Sequence, residues 1–167
     1  RGTDAQILQL INGRPAWRTQ ALDPSRRVAK LGKVNGHGGH YFRNYLMADG
    51  TIKSVGYGGN AANGDWGSSN IYLPGRVVFE DANVRFVDVW AGGSSCYALS
   101  TTGEVWSWGL NTYGQLGHGD TAGRALAKRI DYFVANNIQI AKIIPNRPNF
   151  YDYGTVLFLT TDGKVYG

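Results

Sequence analysis

Cys96-Tyr97-Ala98-Leu99-Ser100-Thr101-Thr102-Gly103-Glu104-Val105-Trp106-Ser107-Trp108-Gly109-Leu110-Asn111-Thr112-Tyr113-Gly114-Gln115-Leu116-Gly117-His118-Gly119 reads as strand, tight turn, strand and glycine-rich loop. Gly103 separates two apolar runs, where a hairpin turn needs positive φ and glycine supplies it without a Cβ clash. Side chains alternate along a strand, so Val105 and Ser107 share one face while Trp106 and Trp108 share the other. The glycines from 109 to 119 then carry the chain out of the sheet as a tight loop.

The same pattern recurs on either side. Leu46-Met47-Ala48-Asp49-Gly50-Thr51-Ile52 precedes it and Leu159-Thr160-Thr161-Asp162-Gly163-Lys164-Val165 follows it. The flanks match as well: Gly38-Gly39 with Gly92-Gly93, and Ser54-Val55-Gly56 with Ser107-Trp108-Gly109. Gly64-Asp65-Trp66-Gly67 matches Gly114-Gln115-Leu116-Gly117, with a short insertion in the first copy between Gly58 and Asn63. The third copy stops at Gly167, before its second strand is complete. Outer strands are expected at Val84–Trp90 and Gln139–Ile144. A small sheet of about four strands every 50 to 60 residues is the period of a propeller blade.

Val105–Gly119, preceded by Ala91-Gly92-Gly93, resembles the regulator of chromosome condensation repeat. The resemblance spans residues 28–167; the first copy departs from it in its insertion and in Trp66 where leucine is usual. It implies an all-β fold, a β-propeller with seven blades when complete. About three blades cannot close such a ring, and open ends leave strand edges unpaired. Residues 28–167 are therefore expected to form an incomplete propeller, either a fragment or one completed by neighbouring chains.

Gly2-Thr3-Asp4-Ala5-Gln6-Ile7-Leu8-Gln9-Leu10-Ile11-Asn12-Gly13-Arg14-Pro15-Ala16-Trp17 reads as a hairpin about an Asn-Gly turn. It resembles an element of phage tail fibres and virion appendages, with Ala5 where glycine is usual. That resemblance implies an attachment or oligomerisation hairpin at 1–21, a linker at 22–27, and a homotrimer. The first functional expectation is a non-enzymatic tail-fibre structural protein located in the virion. Its partners would be sister chains, neighbouring virion tail proteins and a host-surface glycan or protein receptor. The alternative is a cellular propeller, cytoplasmic or nuclear, acting as a small-GTPase nucleotide-exchange factor or a chromatin and interaction scaffold.

Composition narrows the remaining choices. The chain has 167 residues, 24 glycines, 13% aromatic and 17% charged residues, and a formal charge of +5. So many aromatics argue against disorder, glycine does not recur every third residue as in collagen, and no apolar run reaches the ~20 residues of a membrane span. The basic residues are scattered, so the positive charge is read as solubility and nucleic acid is not an expected partner. No signal peptide is read in these residues. A single cysteine excludes an intrachain disulfide and a multi-cysteine zinc site; Cys96 is assigned to the core.

Catalytic chemistry finds no foothold. His37-Gly38-Gly39-His40 has no accompanying ligands, and the serines lack a nucleophile-elbow context. Asp65, Glu80, Asp81, Asp88, Glu104 and Asp120 show no pairing that marks an acid and a base. No enzyme, cofactor or metal is expected. Trp106 and Trp108 are assigned to the space between blades. His118 is placed at the loop surface. Candidate partner contacts are Tyr57, Tyr72 and Tyr113, in loops or at their edges, together with His118 and Trp17.

Overall fold

The computed structural model describes residues 4–11, 14–21, 27–35, 42–56, 71–92, 94–145 and 155–167. At the N-terminus β1 (Asp4–Ile11) pairs antiparallel with β2 (Arg14–Ala21), with Ile11 opposite Arg14 and Leu8 opposite Trp17. That is the register an Asn12-Gly13 reversal requires. Three radial sheets follow.

Blade 1 contains β3 (Val28–Leu31), β5 (Phe42–Met47), β6 (Ile52–Gly56) and β7 (Ile71–Arg76). Between β3 and β5 lies the short β4 (Lys33–Asn35), which leaves blade 1 and joins blade 2. Blade 2 runs β8 (Phe86–Gly92), β9 (Ser95–Ser100), β10 (Val105–Gly109), β11 (Arg124–Arg129). After α1 (Asp131–Ala135), blade 3 contains β12 (Ile140–Pro145), β13 (Val156–Thr160) and the two-residue β14 (Val165–Tyr166). The fold is nearly all-β, a partial propeller of antiparallel sheets.

The strands expected at Val84–Trp90 and Gln139–Ile144 are present as β8 and β12, but they are not the outer ones. β4 pairs in parallel with β8, Lys33 opposite Trp90, so β8 lies where blades 1 and 2 converge. The outer edges are β7 and β11. Gly32 makes the β3–β4 step possible: a Cβ there would lie 2.8 Å from the Asn44 carbonyl oxygen and 3.2 Å from Val89 Cγ1.

Each blade turns the same way. Gly50, Gly103 and Gly163 have φ of 79°, 82° and 86°. Met47, Ser100 and Thr160 donate their amides to the carbonyls of Thr51, Glu104 and Lys164. This is a three-residue hairpin loop, a type I turn completed by a glycine in the left-handed region. The residue before each turn's acid or threonine also ties the turn to the start of its blade. Ala48, Thr101 and Thr161 donate to the carbonyls of Arg27, Arg85 and Gln139.

The alternation of β10 divides the core. Trp106 and Trp108 pack toward blade 1 with Leu46, Ile52, Val77, Phe86, Val89 and Ala98. Val105 packs toward blade 3 with Trp90, Tyr97, Ile130, Ile143, Val156 and Phe158. Cys96 is fully buried in the first of these clusters, as its place in β9 demands.

Candidate functional site

The loop from Leu110 to Gly123 is scaffolded by its own polar side chains. Buried Asn111 donates from Nδ2 to the carbonyl oxygens of Asp120 (2.9 Å) and Ala122 (3.1 Å), and its Oδ1 accepts the Leu116 amide at 2.8 Å. Gln115 Oε1 accepts the Tyr113 amide at 2.9 Å, and the Gln115 carbonyl accepts the Tyr97 hydroxyl at 2.8 Å. Ser107 Oγ donates to the Leu116 carbonyl at 2.8 Å. Positive φ at Gly114, Gly117 and Gly119 lets the chain turn often enough to bring these groups together. The repeat signature is thus a set of inward-facing braces.

Thr112 and Tyr113 stand out from this frame, Tyr113 with 56% exposure. Tyr113 overhangs a hollow of about 450 Å³ that Gln115 shares with Val156 and Phe158 of blade 3. On the other side of the loop, His118, Asp120, Arg124, Lys128 and Tyr132 line a cleft of about 490 Å³.

His118 is half-buried rather than free at the loop surface. Its Nε2 lies 2.9 Å from Ser107 Oγ. The single Ser107 proton is committed to Leu116, so neutral His118 presents Nε2–H to the serine oxygen. Burial first, then the Arg124 and Lys128 charges, push its pKa down to about 4. A depressed histidine pKa means the unfolded chain binds the extra proton first as pH falls. His118 therefore contributes stability that is present above pH ~6.5 and is lost as pH falls toward 4. Urea midpoints measured between pH 7 and 4.5 are expected to fall more steeply for the native chain than for His118→Gln; equal slopes would contradict this account.

Tyr72 is the second residue of strand β7, and Trp17 lies in β2. Tyr57 lies outside the described residues, as do the side chains of Tyr72 and Trp17, the ligand candidates His37 and His40, and the insertion near Gly58. Of the expected contacts whose side chains are described, Tyr113 and His118 lie on one loop. What the sequence reading missed is the cleft formed with β11 and α1, to which Arg124 and Lys128 contribute.

Asp81, Asp88, Glu104 and Asp120, four of the six carboxylates weighed for acid–base work, have structural partners, while Asp65 lies outside the described residues. Asp88 pairs with Lys30 and Glu104 with Arg129, while Asp81 accepts the Asn83 amide. Asp120 grips Arg124 with both oxygens, at 3.1 and 2.7 Å, which holds its carboxyl down at about 2. The Cys96 thiol is pushed up to about 12 by burial, with Asn44 Nδ2 at 3.4 Å from its sulfur. Among the described residues no three His, Cys, Asp or Glu side chains converge as metal ligands, and no helix is long and apolar enough to cross a membrane.

Comparison with known proteins fits this geometry. Residues 102–139 match the family profile described as regulator of chromosome condensation (RCC1) repeat, and residues 86–115 match a second profile of the same description. The chain is 33% identical over 110 residues to the E3 ubiquitin-protein ligase HERC2 of Homo sapiens, covering 65% of this chain and 2% of that protein. Human WBSCR16 superposes with a TM-score of 0.69 at 17% identity, over 89% of this chain and 34% of that one. Prp20p of Saccharomyces cerevisiae superposes with a TM-score of 0.58 at 18% identity, over 81% and 33%. The chain thus spans a small part of HERC2 and about a third of each solved structure.

These relatives are cellular proteins, and they overturn the expectation of a tail fibre in a virion, with its homotrimer, tail-protein neighbours and host-surface receptor. The hairpin that prompted it is a general solution, because an Asn-Gly reversal between apolar runs serves any pair of antiparallel strands. Residues 86–139 thus resemble regulator of chromosome condensation repeats, carried on a partial β-propeller.

Proposed function

We propose that the chain is part of a non-catalytic cellular propeller, cytoplasmic or nuclear, whose loop rim binds a protein partner. The observation that carries this reading is the braced loop of blade 2: buried Asn111, Gln115, Ser107 and Leu116 hold Tyr113 outward on a rigid support. A pre-positioned tyrosine offers contact area at low entropic cost. Engagement of Asp88, Glu104 and Asp120 in ion pairs favours a binding role over acid–base catalysis. Prp20p is studied for its binding to Gsp1p and histones, so a small GTPase and histones are the partner classes to test first.

Titration of the chain against each purified partner is the direct test. Tyr113→Ala is expected to weaken binding by about fivefold or more, while the melting temperature stays within a degree or two. A partner bound equally well by Tyr113→Ala, or no binding to either class, would remove this rim as the contact surface. Stimulated nucleotide release from the GTPase would assign exchange activity; binding without release would assign a scaffold.

A further inference from the structure

Blade 2 satisfies its own buried polar side chains. Tyr97 and Ser107 stand opposite each other, and their hydroxyls donate to the loop carbonyls of Gln115 and Leu116. The matching pair in blade 1 is Asn44 and Ser54. They stand opposite each other one alternation beyond Leu46 and Ile52, as Tyr97 and Ser107 stand beyond Leu99 and Val105. Ser54 shares a face with Ile52, which packs toward blade 2. Asn44 and Ser54 are 1% and 0% exposed, yet among the described residues Asn44 Oδ1 and Ser54 Oγ have no hydrogen-bond partner. The Asn44 amide donates across the boundary instead, with Nδ2 3.4 Å from Cys96 Sγ. Blade 2 buries a third unpaired group in the same cluster, Trp106 Nε1. Native interiors seldom leave such groups bare, and three at one boundary call for a common partner.

The boundary is also built of small side chains. Asn44 stands where blade 2 carries the phenol of Tyr97, and is shorter by most of a ring. Ala91 and Cys96, paired on the facing blade, are small, and Gly75, opposite Ser54, brings no side chain. A polar pocket with several hydrogen-bonding walls admits water, whereas an apolar one stays dry. We propose that Asn44 and Ser54 hold an internal water between blades 1 and 2. The water donates to Asn44 Oδ1 and shares a hydrogen bond with Ser54 Oγ, and the Trp106 indole N–H is the donor that blade 2 offers it. That gives it about three partners, the usual coordination of a buried water. It does for blade 1 what the Gln115 and Leu116 carbonyls do for blade 2, and it adds a polar bridge to a boundary otherwise held by aromatic packing.

A crystal structure of the whole chain, at a resolution that shows ordered solvent, is the first test. The expected result is a water within about 3.2 Å of both Asn44 Oδ1 and Ser54 Oγ. A direct hydrogen bond between Ser54 and Asn44 with no water between them, or solvent at Trp106 alone, would overturn the proposal. In solution, oxygen-17 relaxation dispersion counts the waters held longer than the molecule takes to tumble. Asn44→Leu with Ser54→Val replaces both polar groups by apolar ones of similar size and should lower that count by one; an unchanged count would overturn the proposal. Ser54→Val alone should lower the urea midpoint, because it expels the water and strands Asn44 Oδ1, and the double variant should recover part of that loss. If the native pair were bare, the single substitution would remove an unmet group and raise the midpoint, which would also count against the water. The native crystal structure decides the question even where a variant folds poorly.

Discussion

Trp108→Ala is expected to lower the unfolding free energy by about 3–5 kcal/mol, a large share of what holds a domain of this size together. The side chain is fully buried, and its ring meets Phe79 edge-on at 5.8 Å. Phe79 in turn lies tilted at 4.4 Å on Phe86 and meets Trp106 at 5.8 Å, so removing Trp108 loosens three further aromatic rings between two blades. The sheets on either side are fixed by their ladders and cannot close over the void, so most of the cavity cost remains. Urea unfolding followed by circular dichroism is the measurement. Trp108→Phe should recover a substantial part of the loss, while Tyr113→Ala should stay within about 0.5 kcal/mol because its ring stands outside the core. A loss below about 1 kcal/mol for Trp108→Ala would mean that blades 1 and 2 do not press on each other through this residue.

That cluster shows which parts of the molecule are readable before any coordinates. The turns at Gly50, Gly103 and Gly163 are local events: a short acid or threonine followed by glycine meets the backbone requirement alone. Alternation along β10 is equally local, and it sends both tryptophans to one side and Val105 to the other. β11, by contrast, reads Arg124-Ala125-Leu126-Ala127-Lys128-Arg129, with no β-branched or aromatic residue to favour a strand. It is extended because β10 offers an open ladder, with Ser107 opposite Lys128. The five-residue α1 has no side-chain cap at Ile130 and too few residues to show a period. The parallel β4–β8 contact depends on a step at Gly32 that only the close Asn44 carbonyl explains. His118 illustrates the limit at the site. A histidine among glycines reads as solvated, and only the distance to Ser107 makes it a brace.

Two glycines that look alike in sequence should separate sharply by experiment. Gly109 and Gly119 both follow a ring-bearing residue, and both have positive φ, 101° and 76°. At Gly119 a Cβ meets nothing within 4 Å, so Gly119→Ala should cost about 1–2 kcal/mol, the backbone strain alone. At Gly109 a Cβ would fall 2.2 Å from the Ser94 carbonyl oxygen, which also accepts the Leu110 amide at 3.0 Å. Alanine there must push Ser94 away, break that hydrogen bond and strain the Gly109–Ser95 end of the ladder where the loop begins. Strain, clash and a lost buried hydrogen bond together set the expected loss at about 3 kcal/mol or more. Because Ser95 Oγ donates to the Leu110 carbonyl at 2.7 Å, the displacement should reach the loop and weaken partner binding at Tyr113 as well. Equal unfolding midpoints for the two alanine variants would show that β9 and the start of the loop do not approach this closely, and the rigid support inferred for Tyr113 would go with it.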